Sequence, residues 1–284
     1  MKTSFAIAEA LLMACFASSA LAQEPEGLPI SAQLYTARDA GTLDQQLSVI
    51  EKTGIKYVET FRFFGMPEVP VEEMKASLAK HHLKLSGTHI AFSELADNLP
   101  HIVEYNKALG NTRLIVPALS AGMVPHDRAS WQAIGRVFQI IATTLKPQGM
   151  KIGFHNHTVE MEMFDGKTGF EWFAESAPDV ILTVDLAWAA QGGQDPTLLL
   201  KRLKGHVWNV HVKDTAPMGM NKDQRGLANL GEGVLKWDQI LPAAREAGVQ
   251  WYTLEHDVPK PDALTVLKSA NAYLTPRPQK ALGL

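Results

Sequence analysis

Five short, largely apolar runs each stop at a side chain able to bind a cation or carry a proton: Ser86 to His89, Ile152 to His157, Ile181 to Asp185, Val207 to His211 and Tyr252 to Glu255. A strand buried along its length that ends in His, Asp or Glu delivers a polar group to the mouth of a barrel, where a cation or substrate can meet it. Function is therefore to be sought at strand ends.

Strand-like and helix-like patterns alternate from Ile30 almost to the C-terminus, the order that favours a parallel sheet with crossover helices. The strands expected are Ile30 to Leu34, Tyr57 to Phe61, Leu83 to His89, Arg113 to Pro117, Lys151 to Asn156, Ile181 to Asp185, Val207 to Val212 and Trp251 to Glu255. Amphipathic helices are expected at Leu43 to Lys52, Val71 to His81, Ala96 to Leu109, Arg128 to Leu145, Gly169 to Ser176, Thr197 to Lys204, Trp237 to Ala247 and Ala263 to Leu274. Gly54, Gly110, Gly149 and Gly248 each follow a helix and precede a strand, where a left-handed C-terminal cap is wanted. Eight such units in a chain of 284 residues, 46% of them hydrophobic, predict an α/β fold: a single-domain (β/α)8 TIM barrel over residues 30–275.

The ends of the chain read differently. Lys2 precedes an apolar stretch from Phe5 through Ala20, and Ala20-Leu21-Ala22 fits a signal-peptidase site, so residues 1–22 are expected to be a cleavable export signal. Residues 23–29 form a connector and 276–284 a tail. Leu12-Met13-Ala14-Cys15 loosely resembles a lipobox, but Met13 is unusual there, so a periplasmic or secreted protein is expected rather than a lipoprotein. Cleavage at Ala22 removes Cys15, the sole cysteine, and with it any disulfide or thiolate chemistry. No other segment is apolar for long enough to span a membrane.

Composition and motifs exclude several classes. A net charge of −3 with scattered Lys and Arg offers no broad attraction to phosphate backbones, so no nucleic-acid partner is expected. Neither G-x-G-x-x-G nor G-x-x-x-x-G-K-[ST] occurs, which argues against dinucleotide and nucleotide triphosphate chemistry. The long interruption from Thr215 to Gly233 suits either a loop closing over a substrate or an ordinary surface excursion.

Asp185, His211 and Glu255 end three consecutive strands, and mixed carboxylate and imidazole ligands with open positions suit a divalent cation such as Mn²⁺, Mg²⁺, Co²⁺ or Zn²⁺. Singly, each has a plainer reading: Asp185 as a helix cap, His211 as a satisfied core residue. On the fifth strand, alternation puts His155 and His157 on one face, inward if Phe154 points out, and Glu160 follows within the loop. The fourth ligand is therefore Glu160 or His155.

His155-Asn156-His157-x-x-Glu160, Val184-Asp185-x-x-Trp188, Gly193-x-Asp195-Pro196, His211-Val212-Lys213-Asp214, Leu230-Gly231-Glu232-Gly233 and Glu255-His256-Asp257, with Gln33-Leu34-Tyr35-Thr36 on the first strand, resemble the sugar phosphate isomerase/epimerase family of xylose-isomerase-like TIM barrels. The resemblance covers nearly the whole chain beyond residue 22, with its motifs in the family's order. It implies one divalent cation, Mn²⁺ foremost, held by Glu160, Asp185, His211 and Glu255. Many relatives carry Glu where His155 stands here, so His155 competes with Glu160. The activity implied is sugar isomerisation or epimerisation through an enediolate, with Glu160, Glu255, His157 and Lys213 as catalytic groups.

His89, Glu59, Trp188 and His155 are expected to contact a small-molecule sugar, with Phe61 a further apolar wall. Export makes a free or oxidised sugar the natural substrate, and a 3-keto-glycoside lyase or hydratase is the alternative reaction. A non-catalytic periplasmic sugar-binding protein is the alternative class, and homo-oligomerisation is left open.

Overall fold

The computed structural model describes residues 27–62 and 68–275; the expected export signal, most of the connector and the tail lie outside the described residues. Eight parallel strands close into a barrel: β1 (Ile30–Gln33), β2 (Tyr57–Arg62), β3 (Lys84–Ile90), β4 (Arg113–Val116), β5 (Lys151–His155), β6 (Ile181–Asp185), β7 (Val207–Val212) and β8 (Trp251–Leu254). Each strand pairs with its sequence neighbours, and β1 closes the cylinder on β8 through Ile30 with Tyr252 and Ala32 with Leu254.

Nine α-helices connect these strands: α1 (Leu43–Lys52), α2 (Val71–Lys80), α3 (Phe92–Ala108), α4 (Arg128–Leu145), α5 (Gly169–Ser176), α6 (Leu186–Gln191), α7 (Pro196–Arg202), α8 (Trp237–Ala247) and α9 (Ala263–Leu274) among the described residues. Four depart from the sequence reading. Helix α3 begins at Phe92, before the expected Ala96, and is kinked at Asn98 just ahead of Pro100. Helix α7 starts one residue early because Asp195 caps it and Pro196 fits the first turn. Helix α2 stops one residue short, at Lys80. Helix α6, six residues directly after β6, was not expected at all.

Alternation along the strands builds two different cores. Val58, Leu114, Val116, Ile152, Phe154, Leu182, Val184, Val210 and Leu254 face the helices in one continuous hydrophobic cluster. Phe154 is typical, its ring lying 5.4 Å from Phe138 and 4.7 Å from Phe173. The inward face is layered. A small apolar plug of Ile115, Ile181 and Trp208, with Trp251 against it, supports a polar layer of Ser31, Gln33, Glu59, Asn209 and Thr253, all fully buried. A register shift between Leu182 and Thr183 marks where Trp208 turns out of the outer cluster into that plug.

Gly87 makes the polar layer possible. A Cβ there would lie 3.0 Å from Ile115 Cδ1 and 3.2 Å from Glu59 Oε2, so any larger residue would crowd the buried carboxylate. The layer's hydrogen bonds run from Ser31 to Thr253 (2.7 Å), from Thr253 to Asn209 (2.9 Å) and from Asn209 Nδ2 to Glu59 Oε2 (3.1 Å). Above it the strands end in histidines and carboxylates.

No helix among the described residues is long and apolar enough to cross a membrane.

Candidate metal centre

His155, Asp185, His211 and Glu255 each present one ligand atom to a common point, and these four atoms all lie within 4.8 Å of one another. Glu255 Oε2 is 2.7 Å from His211 Nδ1, His155 Nε2 is 3.4 Å from Asp185 Oδ2, and His211 Nδ1 is 3.8 Å from Asp185 Oδ2. Donor atoms around one divalent cation, each about 2.1 Å from it, stand roughly 3–4 Å apart.

The hydrogen bonds around the imidazoles suit ligation. His155 Nδ1 lies 3.1 Å from the Pro117 carbonyl, so an Nδ1–H donated there leaves the Nε2 lone pair facing Asp185. His211 is held the other way, Nε2 being 2.7 Å from Glu59 Oε1, which leaves Nδ1 facing Glu255. Metal-binding histidines characteristically donate their second ring N–H to a carbonyl or carboxylate in this manner. His211 Nδ1 and Glu255 Oε2 are buried, yet neither makes an aligned hydrogen bond. They are ion-paired instead, 2.7 Å from each other with Lys213 Nζ 2.8 Å from the same Glu255 oxygen, and a divalent cation would take the place of those contacts. The donor set of two imidazoles and two carboxylates accepts zinc, manganese, cobalt or magnesium.

Asp185 shows how a sequence ambiguity resolves into both of its readings. Its Oδ1 caps α6 by accepting from Trp188 N at 2.9 Å, while Oδ2 faces the centre. Asn156, between the two histidines of the β5 motif, fastens this arrangement: its side-chain oxygen accepts from Asp185 N at 2.9 Å.

Charge is balanced by Lys213. Its fully buried Nζ lies 2.9 Å from Asp185 Oδ2 and 2.8 Å from Glu255 Oε2, and it also contacts Asp257. Burial opposes a charged amine, but Asp185, Glu255 and Asp257 outweigh it and hold Lys213 well above its ordinary pKa. Burial likewise opposes ionisation of Glu255 and Asp185, and Lys213 with the nearby histidines overcomes it, keeping both well below the usual carboxylate range. His211 is desolvated too, yet Glu255 and Glu59 push it up to about 10 without a cation present. His155 and His157 are driven by burial to about 4 and about 3.

Above the centre opens a cavity of about 610 Å³, lined by His89, His155, His157, Lys213, Glu255, Asp257 and Arg225 on one side and by residues following β3 and β4 on the other. Arg225 comes from the loop after β7. It pairs with Asp257 at 2.8 Å and lies 4.6 Å over the Trp188 ring. The base of that loop is drawn together by Asp214, which accepts from Gly231 N, Leu235 N and Trp237 Nε1. Gly233 must be glycine, because a Cβ would sit 2.1 Å from Asp214 Oδ1.

Of the residues singled out from sequence, Asp185, His211, Glu255 and His155 converge, with Lys213 against them. His89 and His157 line the cavity. Glu160 does not join the group: it is turned back under its own loop, where Oε2 accepts from His157 N at 2.7 Å. Glu59, expected at the rim as a sugar contact, lies on the floor with no exposure, bonded to Gln33, Asn209 and His211. Trp188 is buried among His157, Lys213 and Arg225 and is not among the residues that line the cavity. Phe61 packs edge-on against Tyr35, which does line it.

Sequence reasoning missed Gln33 and Asn209 as donors to Glu59, Asp257 as a partner of Lys213, and the cavity wall after β4. Alternation was the available signal for the first two, since Gln33, Glu59, Asn209 and His211 all fall on inward positions.

A closed parallel barrel with histidines and carboxylates gathered at the C-terminal ends of its second-half strands defines a TIM barrel with a candidate metal centre. The family model of the xylose isomerase-like TIM barrels matches residues 47–275, and the chain belongs to that family. No curated protein matches the chain. Among solved structures it is similar to a sugar phosphate isomerase/epimerase from Parabacteroides distasonis, at 20% identity over 92% of this chain and 99% of that one, with a TM-score of 0.71. It is also similar to the IOLI protein with a bound zinc atom (17% identity, 90% of this chain and 98% of that one, TM-score 0.71). A third is a xylose isomerase-like barrel from Mycobacterium smegmatis in complex with magnesium (16% identity, 90% and 98%, TM-score 0.66). At these identities the likeness shows the fold.

Proposed function

We propose that this chain is a divalent-metal-dependent sugar isomerase or epimerase that removes a proton next to a carbonyl, acting on a free or oxidised sugar. The observation that carries it is the convergence of four buried ligand atoms at the floor of a cavity open to a small molecule. A purely sugar-binding barrel has no reason to bury such a group. His155, Asp185, His211 and Glu255 would hold the cation, which would supply Lewis-acid stabilisation of charge developing on the substrate's oxygens.

The protein's own groups divide the remaining work. Glu255 reaches the cavity as an ionised carboxylate, so it is the group able to take the proton. The Lys213 ammonium borders the same space and stabilises an oxyanion. His157, kept neutral by burial, lines the same end of the cavity as Glu255 and is placed to hydrogen-bond a substrate hydroxyl. Asp257 and Arg225 keep Lys213 in place. Glu160, bonded to the His157 backbone, is not among the residues that line the cavity.

The expected export signal over residues 1–22 supports a substrate met outside the cytoplasm, which favours a free or oxidised sugar over a phosphorylated one. Return of the proton to the opposite face of the same carbon gives an epimer, and delivery to the neighbouring carbon gives an aldose-ketose isomer. The deciding experiment is incubation of Mn²⁺-loaded protein with candidate sugars in D₂O, followed by NMR. Deuterium should enter next to the carbonyl, and neither Glu255→Gln nor chelator-treated protein should catalyse its entry. Full exchange by Glu255→Gln would remove that residue from the mechanism.

A further inference from the structure

Charged residues are sorted by the fold between the two ends of the barrel. Carboxylates cap helices at the end that holds the candidate centre, as Asp127, Asp195 and Asp262 do for α4, α7 and α9. At the opposite end, where the strands begin, Lys84 opens β3, Arg113 opens β4, Lys151 opens β5, and Lys56 stands immediately before β2. These four are far apart in sequence and meet because β2 to β5 are successive neighbours in the barrel. Lys56, Lys84 and Lys151 are exposed, and none of the four makes an ion pair among the described residues. Basic residues in the last turn of a helix answer the partial negative charge of its carbonyl end, and Lys52, Lys80 and Lys107 do so here. A cation at the start of a strand meets no such dipole, because sheets carry only a small one.

The same face is shaped as well as charged. Beneath the starts of β5 and β6 lies a cavity of about 360 Å³ lined in part by Lys146, Lys151 and His206. His206 Nδ1 is buried and has no hydrogen-bond partner. Asp179, the carboxylate in that lining, already accepts from Gln139 at 2.8 Å and from Lys146 at 3.2 Å. Beside the cations, Tyr57 and Trp251 are half-buried with their rings 4.7 Å apart, and the Arg113 guanidinium lies 4.4 Å over the Trp208 ring. Cations among partly exposed aromatic rings suit the boundary between water and lipid headgroups. The chain also enters the barrel at this end. Leu28 and Pro29 lead into β1, with the Pro29 carbonyl accepting from Tyr252 N at 3.0 Å, so the apolar run from Phe5 through Ala20 is joined to the molecule on its cationic side.

We propose that the strand-start face docks on an anionic phospholipid bilayer through Lys56, Lys84, Arg113 and Lys151, with a headgroup phosphate received beside His206. The mouth over the candidate centre then faces away from the membrane and stays open to solute. Each Lys or Arg near an anionic surface strengthens attachment about fivefold, and salt screens the attraction. The protein's small negative net charge does not oppose this, because the acids lie mainly at the other end.

The test is co-sedimentation of the full chain with vesicles of phosphatidylcholine alone and of phosphatidylcholine mixed with phosphatidylglycerol. Neutral vesicles report whatever the apolar N-terminal run contributes. Wild type should bind the mixed vesicles at least about tenfold more tightly in low salt, and about 1 M salt should remove the difference. The triple variant Lys56→Gln, Lys84→Gln, Lys151→Gln should lose most of that preference. A second triple variant, Lys222→Gln, Lys236→Gln, Lys268→Gln, changes the net charge equally elsewhere and should keep it. All six lysines are exposed, so neither variant disturbs the core. Hydrogen exchange with the mixed vesicles should slow in the segments that precede β2 to β5. Equal affinity for the two vesicles, or a preference that the strand-start variant retains, would overturn the proposal. Loss of preference in both variants would overturn it too, since net charge alone would then be at work. Binding of polyglutamate by a protein that ignores the mixed vesicles would assign the face to an acidic protein instead of a membrane.

Discussion

Glu59, on the barrel floor, and Glu160, in the loop after β5, are both sealed from solvent, at 0% and 2% exposure, yet their surroundings drive them in opposite directions. Burial opposes ionisation of each. At Glu59 it is overcome by His89 and His211, and the carboxyl is held far below its usual range, with Gln33 and Asn209 donating as well. At Glu160 only backbone N–H groups answer, and burial pushes the carboxyl up to about 7. Burial sets the cost of a charge, and the number of donors decides whether the charge is kept. The floor is therefore built to hold an anion under His211, and the loop is not.

That contrast predicts which residue of the β5 motif matters to a cation. His155→Ala should abolish tight binding, because it removes a converging lone pair and leaves a gap beside Asp185. Glu160→Gln should retain stoichiometric metal, because Gln can still accept from His157 N. Elemental analysis after dialysis, with calorimetric titration of Mn²⁺, separates the two. Loss of metal in Glu160→Gln with retention in His155→Ala would reverse the comparison and restore Glu160 as a ligand.

A smaller effect belongs to the floor. Glu59→Gln keeps the shape but places an amide among groups that all need an acceptor, so His211 loses the partner that orients it. Substitutions of this kind cost about 10–100-fold in metal affinity. Stability should also fall by about 3 kcal/mol, since buried donors lose a charged acceptor. Unchanged affinity in a folded Glu59→Gln protein would show that packing alone fixes His211.

The same contrast explains what could be read from sequence. Barrel strands are buried on both faces and end abruptly, so all eight stood out, and Asp185, His211 and Glu255 were singled out by their place at those ends. Glu59 was misplaced because β2 continues to Arg62, which leaves Glu59 one layer below the rim instead of on it. Period-two alternation brought His155 inward, but no periodicity governs a 3₁₀ turn such as Val159–Met161, so the direction of Glu160 was not legible. The six-residue α6 escaped for a related reason: it is too short to show a stripe, and its cap is a residue whose other oxygen has a different task. The apolar wall after β4 lies in irregular chain, where composition gives no facing.

The finest test of the comparison is the pH dependence of stability in Glu160→Gln relative to wild type, read by urea denaturation. Glu160 holds its proton in the folded state up to about pH 7, while the unfolded carboxyl loses it near 4.5. A raised folded pKa contributes stability that is fully present below the unfolded value and is lost as pH rises through the folded one. Wild type should thus lose ground to the variant between about pH 4.5 and 7 and then level off. At about 1.4 kcal/mol per pH unit the total is about 3 kcal/mol. Surface groups shared by the two proteins cancel in the difference. His157 and His256, pushed down to about 3 and about 4, have already lost their protons over most of that window. A difference that stays flat from pH 4 to 8 would mean that Glu160 is ionised throughout, held by a cation or donor that its backbone contacts do not supply, and the distinction between floor and loop would collapse.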